Sequence, residues 1–222
     1  TDNFEPRKIQ SRSFGKESQW VEARVFDEND NELSPGNPGE LVIRSNGKAP
    51  RQGFFSGYLK NKEATEEAWK NGWFHTGDAV TQDEEGFFYF LDRKKNIIRR
   101  SGENIAAAEV EACLTAHERI RQVAVIAAPD EIREEEIMAC VVAKFPEDVY
   151  DAVGQAKFAK ELFNWCYERI AYFKAPGWVL FMDALPLGTS AKVQKVNIFP
   201  PGMDPRQQDG AIDLRSQKKQ KI

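Results

Sequence analysis

The sequence predicts an α+β fold, with a β-rich first part and a smaller second part in which helices pack on a sheet. Residues 1–92 are rich in alternating apolar and polar positions separated by turn residues. From about Lys94 onward, two segments with helical periodicity alternate with continuous apolar runs. The resulting order of strand, strand, helix, strand, strand, helix and strand is typical of helices covering one face of a sheet.

The first part, residues 1–92, contains one short helix among its predicted strands. The run WVEARVFD alternates as a strand does, and PGNPGELVIRS is a turn that leads into the next strand. A helix is predicted in NKEATEEAWKNGW, with Thr65 as its N-cap and Gly72 after its last turn. The last predicted strand of this part is GFFYFLDR.

The second part, residues 93–199, contains both longer helices. KNIIRRSGEN is predicted to be the second arm of a hairpin, and the helix AAEVEACLTAH follows it. QVAVIAAP and EIMACVVAKF are continuous apolar strands, and AVGQAKFAKELFNWCYERIAYF has the periodicity of a long amphipathic helix. GWVLFMD is the last predicted strand.

The two parts meet near Asp92–Lys95, inside the charged stretch LDRKKN. This stretch has no Gly or Pro linker, so it would let two bodies pivot without separating. Residues 200–222 are polar and punctuated by Pro and Gly, which predicts a mobile polar tail.

Charge and cysteine content restrict the class of protein. The net charge of −4 argues against a general binder of nucleic acid or of membrane surfaces. No apolar run approaches the length of about 20 residues that spans a bilayer, so no stable membrane insertion is expected. Cys113, Cys140 and Cys166 are far apart and lack metal-ligand spacing, which predicts reduced thiols in a cytoplasmic protein. The chain starts at Thr1 rather than Met, which predicts a piece of a longer protein or a processed product.

Three stretches could carry chemistry, and each also has an ordinary explanation. GWFHTGD ends on Asp78, whose carboxylate could accept hydrogen bonds from two ribose hydroxyls or could simply close a turn. The cations of LDRKKNIIRR, among them Arg93 and Arg99, could bind phosphate or ribose oxygens or could form a solvated hairpin face. The small-residue loop LPLGTSAK presents Lys192, which could stabilise an oxygen gaining negative charge or could be a solvated surface lysine.

The histidines and cysteines do not indicate a catalytic nucleophile. His75 has Asp78 three residues later, but no serine or cysteine nucleophile can be placed with it. His117 ends a predicted helix and is interpreted as a cap or packing residue. Since none of the cysteines has an activating base in the sequence, we assign no nucleophile and no metal ligand.

Taken together, three motifs resemble the C-terminal half of the adenylate-forming enzymes, which include acyl-CoA synthetases, peptide-synthetase adenylation domains and firefly luciferase. They are GYLKNKEATEEAWKNGWFHTGD, GFFYFLDRKKNIIRRSGENIAAAEVE and FKAPGWVLFMDALPLGTSAKVQK, in this order. The resemblance runs from about Val21 to Ile198 and is greatest to the carnitine/crotonobetaine-CoA ligase and medium-chain acyl-CoA ligase group. It implies that residues 1–92 are the barrel-like C-terminal part of the large adenylating domain, and that residues 93–199 are a small mobile domain.

The resemblance also implies roles for single residues in the adenylation step. Asp78 and Arg93 would bind the ribose of adenosine. Lys95 would be the hinge of the small domain. Lys192 would bridge the oxygens of the substrate carboxylate and of the ATP phosphates.

A second set of residues would serve thioester formation. Arg99 and the turn of Ser101, Gly102 and Glu103 match the face that approaches the active site in that step and lines the pantetheine channel. The partners implied are a small carboxylic acid, ATP and CoA, together with Mg²⁺, whose ligand is expected upstream of this chain. The family's phosphate-binding loop is also expected upstream, so the isolated chain is predicted to be inactive in adenylation.

The loop that presents Lys192 departs from the family pattern. Gly188 stands where Thr is usual, and Ala191 stands where Gly usually precedes the lysine. Since alanine does not easily adopt a positive φ, the loop is expected to have a different shape. Lys195 replaces a usual Arg, and Arg99 stands where many members have Lys.

Two other functions stay open at this point. The chain could belong to an adenylating enzyme that loads a carrier protein instead of free CoA. It could also be a non-catalytic module that binds a nucleotide or CoA. The identity of the acid and the oligomeric state do not follow from the sequence.

Overall fold

The computed structural model describes residues 13–218, and the chain divides into two compact units between Lys95 and Asn96. Each unit has its own sheet. The predicted α+β class is confirmed, with α-helices and two sheets within the described residues. None of the helices in residues 13–218 is long and apolar enough to cross a membrane.

The first unit is built on an antiparallel five-stranded sheet. Its strands are β1 (Ser13–Gly15), β2 (Val21–Phe26), β3 (Gly39–Ser45), β4 (Phe74–Gln82) and β5 (Phe88–Arg93). They lie in the order β1-β5-β4-β3-β2, so the described sheet is open at both edges and does not close into the expected barrel-like form. Alternate side chains of these strands form its core, as period-two patterning requires: Ala23, Val25, Leu41, Val80 and Phe88.

The short helix α1 (Lys62–Ala68) is capped by Asn61, whose side-chain oxygen accepts a hydrogen bond from the Ala64 amide at 3.0 Å. The prediction of Thr65 as the N-cap is therefore wrong. Thr65 is buried inside the helix, and its hydroxyl donates to the Asn61 carbonyl at 2.8 Å. Asn and Thr are both good N-caps, so tertiary burial of Thr65 decides between them.

The second unit contains a six-stranded sheet and the two longer helices, α2 (Ala107–Thr115) and α3 (Ala152–Arg169). Its strands are β6 (Ile97–Arg100), β7 (Glu103–Ala106), β8 (Ile120–Asp130), β9 (Glu134–Ala143), β10 (Trp178–Phe181) and β11 (Ile212–Asp213). The order is β11-β10-β9-β6-β7, with β8 also paired to β9. Strand β9 therefore organises the unit, since it pairs with β6, β8 and β10.

The two faces of β9 pack against different elements because successive strand residues point to opposite sides. Ile137, Ala139 and Val141 belong to a core cluster that includes buried residues of both helices. Met138, Cys140 and Val142 pack in a second cluster with Leu185 and Ile198, which follow β10. Helices thus cover one face of the sheet, as predicted, and the segment after β10 covers the other.

The segment KNIIRRSGEN does not pair with the preceding strand, so its interpretation as the second arm of a hairpin is wrong. Strand β6 belongs to a different sheet from β5 and instead pairs with β7. Ser101 (φ 51°) and Gly102 (φ 81°) form the turn between β6 and β7. Two successive residues with positive φ are what a tight two-residue hairpin requires.

The expected tail is part of the fold up to residue 218. Strand β11 pairs antiparallel with β10, so the prediction that GWVLFMD is the last strand is wrong. Leu214 is only 4% exposed, and its amide donates to the Gly177 carbonyl at 2.8 Å. The prediction of a mobile tail is therefore wrong for residues 200–218, because strand pairing and burial hold them. Residues 219–222 lie outside the described residues.

Candidate functional site

Asp78 and Arg93, the two residues predicted to bind ribose, lie opposite each other on β4 and β5. Arg93 Nη1 is 2.8 Å from Asp78 Oδ1, and it also donates a hydrogen bond to the Thr76 carbonyl at 3.2 Å. The contact between Arg93 Nη1 and Asp78 Oδ1 does not have hydrogen-bond geometry. Asp78 Oδ1 is therefore a buried oxygen with a charged neighbour but with no hydrogen-bond donor among the described residues.

The surroundings of Asp78 shift its pKa upwards. Burial raises the pKa of Asp78, and the nearby Glu40 carboxylate raises it further. The Arg93 guanidinium opposes both effects but does not outweigh them. The site therefore keeps a carboxylate that gains from any additional hydrogen-bond donor, such as a ligand hydroxyl.

Glu40 on β3 organises the backbone next to Asp78, and the sequence reasoning missed it. Its Oε1 accepts from the Gly77 amide at 3.0 Å, and its Oε2 accepts from Lys94 Nζ at 2.8 Å. His75 Nδ1 lies 3.2 Å from the same Oε2. Burial raises the pKa of Glu40, but these three partners outweigh burial, so its pKa is lowered. A carboxylate at the start of the apolar strand GELVI was the available sequence signal.

The two histidines each contact other side chains of the fold. His75 lies between Glu40 and Asp30, with its Nε2 4.0 Å from Asp30 Oδ1. His117 packs edge-on against Trp165, with 4.8 Å between ring centroids, and its Nε2 is 3.2 Å from Glu161 Oε1. The interpretation of His117 as a packing residue is confirmed.

The second group of predicted residues lies together at the β6–β7 turn, which we call the hairpin tip. The hairpin tip consists of Arg99, Ser101, Gly102 and Glu103, and all four residues are exposed. The tip is held through its backbone, since the Ser101 amide donates to the Arg133 carbonyl at 3.1 Å. The Arg99 amide also donates to Glu135 Oε2 at 2.7 Å. The fold thus presents these side chains to solvent on a fixed backbone.

Lys192 lies in a closed loop after β10. The Gly188 amide donates to the Lys192 carbonyl at 2.8 Å, and the Ala191 amide donates to the Gly188 carbonyl at 3.0 Å. The Lys192 side chain is exposed, and its ammonium has no ion-pair partner within residues 13–218. The loop therefore presents a cation that is available to a ligand.

The two departures in this loop have local explanations. Ala191 has φ 58°, so the expectation that alanine would change the loop's shape by avoiding positive φ is wrong. A Cβ atom at Gly188 would lie 2.8 Å from Gln194 Nε2, so the usual threonine would displace the Gln194 side chain.

Lys95 lies in a single 3₁₀ turn, Lys94–Asn96, at the division between the two units. Asp78 and Arg93 belong to the first unit, whereas the hairpin tip and Lys192 belong to the second. Lys195 Nζ is 2.8 Å from Glu111 Oε1, which fixes the end of the lysine loop to α2.

Comparison with known proteins agrees with this arrangement. Residues 109–192 match the AMP-binding enzyme C-terminal domain. The crotonobetaine/carnitine–CoA ligase of Salmonella arizonae is 36% identical over 187 residues, which are 84% of this chain and 34% of that protein. Residues 109–192 of this chain are thus similar to the C-terminal domain of the AMP-binding enzymes. The chain spans about a third of the length of the curated relatives that it matches.

Solved structures extend the similarity to the fold. The o-succinylbenzoate CoA synthetase of Bacillus subtilis, in complex with its acyl-adenylate intermediate, matches with a TM-score of 0.67 and 31% identity. The match covers 82% of this chain and 34% of that one. An amide bond synthetase from Marinactinospora thermotolerans matches with a TM-score of 0.63 and 29% identity, over 83% of this chain and 35% of that one.

The thiols of this chain are poorly suited to nucleophilic chemistry. Cys140 and Cys166 are buried, and Cys113 is partly buried. Burial raises the pKa of Cys140 to about 12 and raises those of the other two thiols as well. The neutral thiol is a poor nucleophile, so chemistry in the family that needs a thiolate would use one from a substrate.

Proposed function

We propose that this chain is part of an ATP-dependent carboxylic acid–CoA ligase, which converts an acid, ATP and CoA into acyl-CoA, AMP and pyrophosphate. The observation that carries the proposal is the Asp78 carboxylate, whose side chain is 26% exposed and whose Oδ1 lies 2.8 Å from Arg93 Nη1. A ribose offers two vicinal hydroxyl donors to such a carboxylate. The similarity to enzymes named as CoA ligases and CoA synthetases supports the same reaction.

The first half-reaction activates the acid. An oxygen of the substrate carboxylate attacks the α-phosphorus of ATP, the bond to the β-phosphate breaks, and acyl-adenylate and pyrophosphate are formed. Negative charge is redistributed over phosphate oxygens in this step, and the Lys192 ammonium would offset it. No group of three or more His, Cys, Asp or Glu residues that could hold a metal ion occurs within residues 13–218.

The second half-reaction transfers the acyl group. The CoA thiol attacks the carbonyl carbon of the adenylate, a thioester forms, and AMP leaves with the bonding electron pair. The hairpin tip, with Arg99, Ser101, Gly102 and Glu103, would line the path of the pantetheine. Movement at Lys95 would exchange the lysine loop for the hairpin tip between the two half-reactions.

The experiment uses the complete enzyme that carries this chain, with a panel of carboxylic acids. Lys192→Ala is expected to lower acid-dependent ATP–pyrophosphate exchange by about 10²–10³-fold, because one charge-stabilising donor is lost. The same variant should still form the thioester from synthetic acyl-adenylate. Lys160→Ala, at an exposed position of α3, is the control and should change neither half-reaction. Undiminished exchange in Lys192→Ala, or no exchange with any acid in the wild type, would contradict the proposal.

The acceptor of the acyl group is the main alternative, because one structural neighbour is named an amide bond synthetase. After adenylation, the enzyme can be offered free CoA, a phosphopantetheinyl carrier protein or an amine in parallel. CoA thioester formation that exceeds the other two products supports the ligase. If the nucleotide or CoA binds to the complete protein without turnover of any acid, the chain belongs to a binding module. The isolated chain should release no pyrophosphate, and we expect a cytoplasmic setting because of its reduced thiols.

A further inference from the structure

The acidic segment 130–136, which joins β8 to β9, contacts the hairpin tip on one side. The Ser101 amide donates to the Arg133 carbonyl at 3.1 Å, and the Arg99 amide donates to Glu135 Oε2 at 2.7 Å. Arg100 is also in strand register with Glu134. We call residues 130–136 the bridge, because the β6 side of the hairpin tip depends on it for hydrogen bonds.

The other side of the bridge binds the C-terminal residues 204–218, which we call the strap. Three cations of the strap each pair with a bridge carboxylate: Arg206 with Glu131 at 2.6 Å, Arg215 with Asp130 at 2.8 Å, and Lys218 with Glu136. Complementary charge therefore continues along the whole contact. The first pair involves an exposed glutamate, whereas the side chains of the third are fully buried.

Glu136 connects the two sides. Its Oε2 accepts from Arg100 Nε at 2.9 Å, and its Oε1 accepts from Lys218 Nζ and from the Ile137 amide. Its carboxylate is enclosed, since a Cβ atom at Gly177 would lie 2.4 Å from Glu136 Cγ. Removing one partner from a buried charge leaves it poorly satisfied, so the position of Glu136 depends on both cations.

Arg100 links Glu136 to the hairpin tip. It lies between Arg99 and Ser101 in the chain, and its own side chain is buried against Glu136. The turn of Ser101 and Gly102 follows it directly, with both residues at positive φ. A shift of the Arg100 guanidinium therefore moves the residue from which the turn begins.

We propose that Lys218 is a positioning residue, which holds the hairpin tip in the shape needed for thioester formation through Glu136 and Arg100. The functional part of this inference rests on the role proposed above for the hairpin tip, whereas the anchoring does not. The strap would thereby contribute to transfer of the acyl group, although none of its residues is assigned to the reaction itself.

The first test measures amide hydrogen exchange in the chain without any substrate. Lys218→Met should raise exchange of the Arg99 and Ser101 amides at least about fivefold, because their acceptors on the bridge become less fixed. Peptides of α1, in the other unit, should not change. Arg119→Met is the matched control, since Arg119 is a partly buried cation of the same unit that pairs with Asp148 and Glu161. Should Lys218→Met fail to fold, the milder Arg215→Gln should give the same pattern with a smaller increase.

The second test separates the half-reactions in the complete enzyme. Lys218→Met should raise the KM for CoA or lower the rate of thioester formation at least about tenfold, with ATP–pyrophosphate exchange within about twofold of wild type. Arg119→Met should change neither. An equal loss of both half-reactions would indicate general destabilisation and would overturn the inference.

The two tests distinguish the two ways in which the idea can fail. If exchange at the hairpin tip does not respond to Lys218→Met, the anchoring is wrong, whatever the function of the tip. If the tip is loosened but the CoA step is unchanged, the anchoring holds and the role proposed for the hairpin tip is wrong. Only a loosened tip together with a selective loss of the CoA step supports the inference.

Discussion

At the scale of single residues, the candidate nucleotide site depends on a carboxylate that need not touch the nucleotide. Glu40 binds Gly77, which precedes Asp78, and Lys94, which precedes the expected hinge. It is 7% exposed, so its interactions occur away from most screening by water. One side chain on a third strand therefore binds both the backbone that precedes Asp78 and the side chain that follows Arg93.

Replacing this carboxylate should weaken the first unit. Glu40→Gln is expected to lower the free energy of unfolding by about 2 kcal/mol at pH 7, because charge-assisted bonds to Lys94 and Gly77 are weakened. The pKa of Glu40 is lowered in the folded state, so its stabilisation is present above its ordinary value of 4.5 and is lost as the pH falls through the folded value. Urea unfolding at pH 7 and at acidic pH measures this effect. The free energies of unfolding of wild type and Glu40→Gln should become similar at low pH.

The exposed Glu67→Gln on α1 is the control and should behave as wild type at both pH values. A difference between wild type and Glu40→Gln that is as large in acid as at pH 7 would mean that the charge of Glu40 does not stabilise the unit.

Ala191 gives a second prediction at this scale. Its φ of 58° lies in the left-handed region, which is unfavourable for a residue with a Cβ atom. Ala191→Gly should therefore stabilise the second unit by about 0.5–1 kcal/mol, after allowance for the greater freedom of glycine in the unfolded chain. Ala112→Gly, at an exposed position inside α2, should instead destabilise the second unit. Chemical denaturation of both variants measures the difference, and a loss of stability in Ala191→Gly would contradict the assignment of strain.

At the scale of elements, the predictions succeeded where one segment contains its own signal. The helical periodicity around Val110 and Leu114 and the continuous apolar runs of β8 and β9 predict α2 and the central strands, because each pattern reflects burial along a single element. Pairing partners were not predictable in this way. The sequence around Ser101 and Gly102 fits a tight turn, but only the fold shows that β6 pairs with β7 rather than with β5.

The strap was missed for a similar reason. Its strand has two residues, and its apolar content is little more than Ile212 and Leu214. Its remaining attachment includes ion pairs with the bridge, which lies more than seventy residues earlier in the chain. Charged residues of a polar segment give no periodic pattern, so a docked strap and a free tail have the same appearance in one sequence.

Leu214 tests whether the strap contributes to stability. It is 4% exposed and belongs to the core cluster on the helical face of the second sheet. Leu214→Ala should lower the free energy of unfolding of the second unit by about 2–4 kcal/mol, because a buried side chain is replaced by a cavity. Leu59→Ala, at a position that is 90% exposed, is the matched control and should have little effect. Equal urea midpoints for the two variants would mean that the strap is not docked in solution.

At the scale of the whole molecule, the candidate residues are divided between two units that have separate cores. The resemblance to a family supplied their identities, and the charged stretch near Lys95 supplied the boundary between the predicted domains. The local geometry around these residues could not be predicted from the sequence. The surroundings of Asp78 and the role of Glu40 depend on neighbours that are distant in the chain.

Division of the candidate residues over two units leads to a prediction about Lys95. Proline fixes φ near −65° and removes the backbone donor, so Lys95→Pro restricts rotation at the single turn between the units. In the complete enzyme, one half-reaction should fall at least about tenfold while the other stays within about threefold, because we propose that each needs a different arrangement of the units. ATP–pyrophosphate exchange and thioester formation from synthetic acyl-adenylate measure the two separately. Lys95→Ala removes the side chain but keeps the backbone freedom, so it should retain both. If Lys95→Pro slows both steps equally, or if Lys95→Ala reproduces its effect, the two half-reactions do not depend on movement at this residue.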